Sequence, residues 1–282
     1  MSLYAIGVDV GSGSVRAGLV STTTGEIYAV STHPITTTTD LPYKAQSSDN
    51  IWSSVTHCIK SLLTTTSLPA TSVVGLSFDA TCSLVLLNAT DAPIPSYPPA
   101  ETNATLNVVH WSDQRAVTEA GSINATAHPL LSLVGGKISP EMQLPKLLHL
   151  KTHLPASYAA ATAGKALDLS DYLLYRATDY EHDTRSLCTT VCKWCYDAAA
   201  GAWDLAFLAK IGLGEVTGTM IGNEVKPIGS VVKGGIGALA ARELGLEPGT
   251  PLAVGLIDAH AGGLGCVGAG GGEVGGRLCM VR

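Results

Sequence analysis

Two aspartates carry the chemistry that this sequence offers most openly. Asp9 closes the apolar, β-prone run 4–10 and is followed by Gly11-Ser12-Gly13-Ser14 and then Arg16. Asp258 closes a second apolar run, 251–257, and is followed by Ala259-His260-Ala261-Gly262-Gly263. In open α/β sheets ligands bind beyond the carboxyl ends of strands, and the small residues after each acid let other groups come close. A carboxylate so placed can take the proton of a hydroxyl during phosphoryl transfer or hold a hydrated Mg²⁺. The turn after Asp9 adds bare backbone N–H groups, the hydroxyls of Ser12 and Ser14 and the Arg16 guanidinium, a set that can cradle a phosphate. An empty glycine hairpin explains residues 11–16 equally well, and Asp258 can also be a helix N-cap.

Two commoner glycine motifs are excluded. The dinucleotide fingerprint needs a glycine where Arg16 stands and a helix after the turn, whereas residues 15–21 alternate like a strand. The P-loop needs a Gly-Lys-Ser/Thr that does not follow. Cys192 and Cys195 form a CxxC, but no second pair completes a structural zinc site. The seven cysteines read as reduced core filler in a cytosolic protein. His260 lacks a partner at metal spacing and reads as a core or surface histidine.

The elements that must position these groups can be read from periodicity. Runs 4–10, 15–21 and 26–32, joined by short glycine turns, form an antiparallel meander, because a parallel connection needs a long crossover. From Asp49, placed to cap, the apolar residues Ile51, Trp52, Val55, Cys58, Ile59, Leu62 and Leu63 mark one face of a helix. Strands are expected at 73–78, with Asp79 to Cys82 as a loop, and at 84–87, 108–111, 166–169 and 251–257. A long loop covers 91–107. Ser139-Pro140-Glu141 reads as a helix start with Ser139 as cap, and helices are expected after Asp113, from Ser170, and over 203–211 and 237–244. A glycine-rich helical run follows Asp258, and the chain closes on a strand at 277–281. Thr36–Thr39 and Thr64–Thr66 read as exposed turns. Strands alternating with helices give an α/β class.

Bulk properties narrow the partners. The chain has 282 residues, 46% hydrophobic and only 14% charged, and a net charge of −6; the low charge fraction points to a buried interface. No basic cluster tracks nucleic-acid phosphates, no apolar run approaches the ~20 residues of a membrane helix, and the N-terminus has no signal-peptide pattern.

Taken together, the segments resemble the ribulokinase-like branch of the FGGY carbohydrate kinases. Residues 6–18 resemble the first phosphate loop of the actin-like sugar kinases, and 256–265 the segment bearing their catalytic aspartate. Between them, in order, 78–83 (Phe-Asp-Ala-Thr-Cys-Ser), 111–116 (Trp-Ser-Asp-Gln-Arg-Ala), 139–148 and 185–194 also match. The resemblance implies a ribonuclease-H-like (actin/hexokinase-type) domain over 1–270, with the meander as its opening strands in a mixed sheet. It implies transfer of the γ-phosphoryl of ATP, with Mg²⁺, to a small-molecule ketose such as D-ribulose. Asp258 is then the general base, Asp9 the Mg²⁺ residue, and Gly11, Ser12, Gly13, Ser14 and Arg16 face the γ-phosphate. Ala80, Thr81, Lys193 and Asp258 take the sugar. Glycerol kinases place an Arg-Glu pair at the 79–81 loop; Ala80 opens that pocket for a longer ketose. A solvated surface lysine is the competing account of Lys193. Asp113 and Arg115 either line the cleft or pair on a helix, and Trp111 and Trp194 read as core aromatics.

Family members continue into a second domain with the adenosine site. Residues 271–282 are expected to be a glycine-rich tail at the start of that domain, leaving this chain alone with little or no kinase activity. The full-length form is compatible with a homo-oligomer. A non-catalytic sugar or partner binder of the same fold is the competing reading; an actin-like chaperone ATPase fits the segments around Ala80 and Lys193 less well.

Overall fold

The computed structural model describes residues 2–97 and 106–268. The expected terminal strand at 277–281, the tail 271–282 and Cys279 lie outside them, as does part of the 91–107 loop. The meander is present as β1 (Tyr4–Val10), β2 (Ser14–Ser21) and β3 (Ile27–Pro34), paired antiparallel. It is followed by a hairpin, β4 (Thr37–Asp40) and β5 (Tyr43–Gln46), and by helix α1 (Ser48–Thr66). Then come β6 (Val73–Ala80), β7 (Leu84–Leu87), β8 (Val108–Val109), α2 (Val117–Ala125), α3 (Gln143–His153), α4 (Pro155–Ala163), β9 (Lys165–Asp168) and α5 (Leu169–Ala177). The remainder is β10 (Thr184–Ser186), α6 (Leu187–Trp194), α7 (Leu205–Lys210), α8 (Gly218–Ile221), β11 (Glu224–Lys226), α9 (Ala238–Leu244), β12 (Leu252–Ile257) and α10 (Asp258–Gly268).

The first sheet has the order β12-β6-β1-β2-β3 and is mixed: β6 is parallel to both β1 and β12, while the meander is antiparallel. Its pleat divides the residues cleanly. Tyr4, Ile6, Val8 and Val10 of β1 and Leu76, Phe78 and Ala80 of β6 are buried, whereas Asp9 and Asp79 point to the other face and are only half-buried. α1, α5 and α9 cover the buried face with Ile51, Val55, Ile59, Leu62, Leu173, Tyr172 and Leu244 in one cluster. The second sheet, β4-β5-β8-β7-β9, packs Leu84, Leu86, Val109 and Ala166 against α2, α3, α4 and α6.

Several expectations are corrected. Ser47, not Asp49, caps α1: its hydroxyl accepts the Asn50 N–H, and Asp49 in the first turn pairs with Arg176 at 2.6 Å. β6 runs on through Asp79 and Ala80, because β1 continues to pair with it there. Ser139 does not start a helix; its hydroxyl takes the Glu141 N–H in a tight turn, and α3 begins at Gln143. Thr37–Asp40 is a strand, as β-branched residues favour, and Thr64–Thr66 end α1. Asp113 and Arg115 have fully buried side chains, ion-paired at 2.7 Å, and neither lines the cleft between Asp9 and Lys193; Asp113 also accepts the Lys44 N–H at 2.6 Å, which fixes β5. Among the described residues no helix is long and apolar enough to cross a membrane.

Candidate active site

Sheet register brings the chemistry together. Arg16 on β2, Asp9 on β1 and Asp79 on β6 are cross-strand partners, so their side chains stand in one row on one face. β12 lies next to β6 and delivers Asp258 one residue beyond its end. The row forms the floor of a cleft of about 800 Å³. Arg16 donates to Asp9 at 2.6 Å. Asp79 is pushed up to about 8: burial is the main cause, followed by the negative charges of Asp9 and Asp258 and a hydrogen bond shared with Asp9, with Arg16 opposing. Asp258 is also raised, by burial first and by Asp9, although the Ala259 N–H donates to its carboxylate at 2.7 Å.

Gly255 sets where Asp258 arrives. The pairing of β12 with β6 shifts register between Ala253 and Leu256, a bulge that re-aims the end of the strand. A Cβ at Gly255 would sit 1.8 Å from the Phe78 carbonyl oxygen, so no side chain fits. The Ser186 hydroxyl donates to the Gly255 carbonyl at 2.7 Å and ties the bulge to β10.

The opposite wall comes from α6 and the second sheet. Lys193 on α6 lines the cleft with Thr81, Cys82, Trp111 and Glu141. Burial works against its charge, but Cys82 and Asp168 outweigh it and hold the ammonium above its ordinary value. The N-terminus of α6 is fixed by Asp171, which accepts the Ser186 N–H at 2.9 Å and the Thr189 hydroxyl at 2.8 Å. Beneath the wall, Gln143 donates to the Cys82 carbonyl and to Asp168, and the Trp194 indole donates to Asp168. Fully buried Lys146 donates to the His110 carbonyl at 3.1 Å, which supports the turn carrying Trp111. That turn reaches across the cleft: the Trp111 indole donates to the Ser12 hydroxyl at 2.8 Å, while the Gln46 amide and the Thr37 hydroxyl donate to the Ser12 carbonyl.

Of the residues singled out from sequence, Asp9, Gly11, Ser12, Arg16, Thr81, Lys193 and Asp258 line the cleft. Gly13, Ser14 and Ala80 do not. Ser14 closes the turn through its carbonyl, which accepts the Gly11 N–H at 3.0 Å. Ala80 is 1% exposed, because alternation along β6 turns it to the core behind Asp79. Trp111 belongs to the cleft wall and not to the core, whereas Trp194 is buried. Cys82 and Cys192 are wall residues rather than core filler, and His260 lines the cleft with its Nδ1 2.9 Å from the Cys188 sulfur. Sequence reasoning missed Asp79 and Glu141. Asp79 carries the same signal as Asp9, an acid closing an apolar strand, but the sequence pattern ends that strand one residue before it.

A profile of the N-terminal domain of the FGGY family of carbohydrate kinases matches residues 4–265. The chain belongs to this FGGY family. It is 43% identical over 270 residues to an FGGY carbohydrate kinase domain-containing protein of Homo sapiens, covering 94% of this chain and 47% of that one. It is 34% identical over 280 residues to a D-ribulokinase of Saccharomyces cerevisiae, covering 94% of this chain and 38% of the relative. Among solved structures, xylulose kinase from Rhodospirillum rubrum superposes with a TM-score of 0.80 at 20% identity, over 94% of this chain and 51% of that one. The FGGY chain therefore has the actin/hexokinase-type fold, and it spans about half the length of the curated relatives it matches.

Proposed function

We propose that the chain supplies the sugar-binding and base-bearing half of an ATP-dependent ketose kinase acting on a ketopentose such as D-ribulose. The observation that carries this reading is the convergence of Asp9, Asp79 and Asp258 on one cleft, faced by Arg16 and Lys193. In the proposed reaction the sugar lies between Lys193, Thr81 and Asp258. The Asp258 carboxylate accepts the proton of the attacking hydroxyl, and its raised proton affinity suits that task. Arg16, with Gly11 and Ser12 of the glycine turn beside it in the cleft, orients and neutralises the transferring phosphoryl group. The carboxylates fit a divalent ion, because Asp9 and Asp79 are partners in register whose crowding is relieved by positive charge. Mg²⁺, when bound there by Asp9 and Asp79, offsets the charge on the phosphate oxygens.

The test is phosphoryl transfer from ATP to D-ribulose, L-ribulose and xylulose by the protein extended to the length of its relatives, with the 282-residue chain assayed beside it. The expected result is turnover in the longer protein, lost in Asp258→Asn with ketose affinity retained, and little or none in the shorter chain. Ketose binding with no transfer from ATP in any form would favour a binder and overturn the kinase reading.

A further inference from the structure

Away from the cleft, α2 and α3 bring Glu119, His149 and His153 together. His149 and His153 are four residues apart and so share one face of α3; their rings stack with centroids 4.2 Å apart. The Glu119 carboxylate meets both: Oε1 is 3.1 Å from His149 Nδ1 and 3.7 Å from His153 Nε2. One ligand atom from each residue lies within 4.8 Å of the others. Tetrahedral ligands about 2.0–2.1 Å from a zinc ion are about 3.3 Å from one another. The two separations from Glu119 bracket that figure, and His153 is exposed and free to adjust.

Buried polar atoms stand unpartnered at this point. The side chains of Glu119 and His149 are 10% and 8% exposed. Glu119 Oε2 is buried with no hydrogen-bond partner, as is His149 Nε2. Among the described residues, the ion-pair partners of Glu119 are these two imidazoles alone. Arg115, the nearby guanidinium that stacks on Tyr43 beside His149, is committed to Asp113 through two of its nitrogens.

We propose that Glu119, His149 and His153 form a site for a divalent transition ion, Zn²⁺ in particular. Two imidazoles and a carboxylate favour borderline ions over Mg²⁺, which prefers oxygen alone. Three protein ligands leave a fourth position, and the 55% exposure of His153 opens that position to water. The ion clips α2 to the C-terminal half of α3. The N-terminal half of α3 carries Gln143 and Lys146, which support the cleft wall. The clip therefore braces the cleft without entering it.

The experiment titrates the purified 282-residue chain with Co²⁺ and Zn²⁺, with three readouts: the visible Co²⁺ spectrum, Zn²⁺ affinity by chelator competition, and the thermal midpoint. The proposal expects one equivalent bound, a Co²⁺ spectrum of nitrogen and oxygen ligation without thiolate bands, and a midpoint raised by Zn²⁺. His153→Ala, an exposed change that leaves the fold intact, is expected to weaken Zn²⁺ at least ~10-fold and abolish the midpoint rise. Glu119→Gln, which keeps the shape of the side chain, does the same. Equal affinity in wild type and His153→Ala, a thiolate-dominated spectrum, or no binding at micromolar Zn²⁺ overturns it.

Discussion

Replacing Asp79 by Asn tests the crowded row of carboxylates directly. In the folded chain the Asp79 carboxyl is pushed from its usual 3.8 to about 8, by burial first and then by Asp9 and Asp258. At ~1.4 kcal/mol per tenfold change in proton affinity, that displacement has a ceiling of about 6 kcal/mol. The cleft is open to water and Arg16 lies alongside, so the observable is about 2 kcal/mol. The sign is fixed by linkage. A carboxyl that binds its proton more tightly when folded contributes stability below about pH 4 and loses it as pH rises towards about 8. Wild type is therefore expected to match Asp79→Asn near pH 4 and to fall below it progressively, by about 2 kcal/mol at about pH 8 to 9. Urea unfolding of both proteins across about pH 4 to 9 measures this. A difference that does not change with pH, or an Asn variant less stable at high pH, refutes the crowding argument and means that Asp79 is ionised with adequate cationic support.

Geometry sets three further outcomes. Gly255→Ala places a methyl group against the Phe78 carbonyl oxygen; it is expected to cost about 3 kcal/mol or more and to lower Tm by roughly 6–12 °C in scanning calorimetry. Arg115→Met leaves the Asp113 carboxylate buried without its partner and is expected to cost about 3–5 kcal/mol in urea unfolding. Cys192 is held down to about 7 by a hydrogen bond from Cys188, with Lys193 adding to the effect, whereas Cys188 is raised. Iodoacetamide at about pH 7.5 is thus expected to label Cys192 well ahead of Cys188 by peptide mapping, and more slowly when a ketose fills the cleft; equal labelling of the two thiols counts against this.

Elements with a strong period were legible in the sequence. The stripe from Ile51 to Leu62 marked α1, and the alternating runs with glycine turns marked β1 to β3. The second sheet was harder. β7, β8 and β9 were legible as strands, with β8 shorter than expected, but β5 is short and β4 is a threonine tract, so each offers too few alternations to set a period, and their pairing is a long-range property. Within the cleft, Asp9, Arg16 and Asp258 were legible from apolar runs closing on an acid and from the glycine turn, and Lys193 from the resemblance of its segment. Trp111 was not: whether an indole is core or wall depends on what faces it, and Ser12 lies 99 residues earlier. Ala80 shows the reverse limit, since the extension of β6 by two residues decides which face it takes. Glu119 and His149 are 30 residues apart, and only the packing of α2 on α3 joins them.

The grip on Ser12 has a mechanical consequence. Trp111, Gln46 and Thr37 all hold this one residue at the tip of the glycine turn, so the turn cannot lift without dragging the edge of the second sheet with it. The two sides of the crevice are thereby ganged into a single jaw. Any motion that opens the crevice must act against this jaw from outside, and not by parting it.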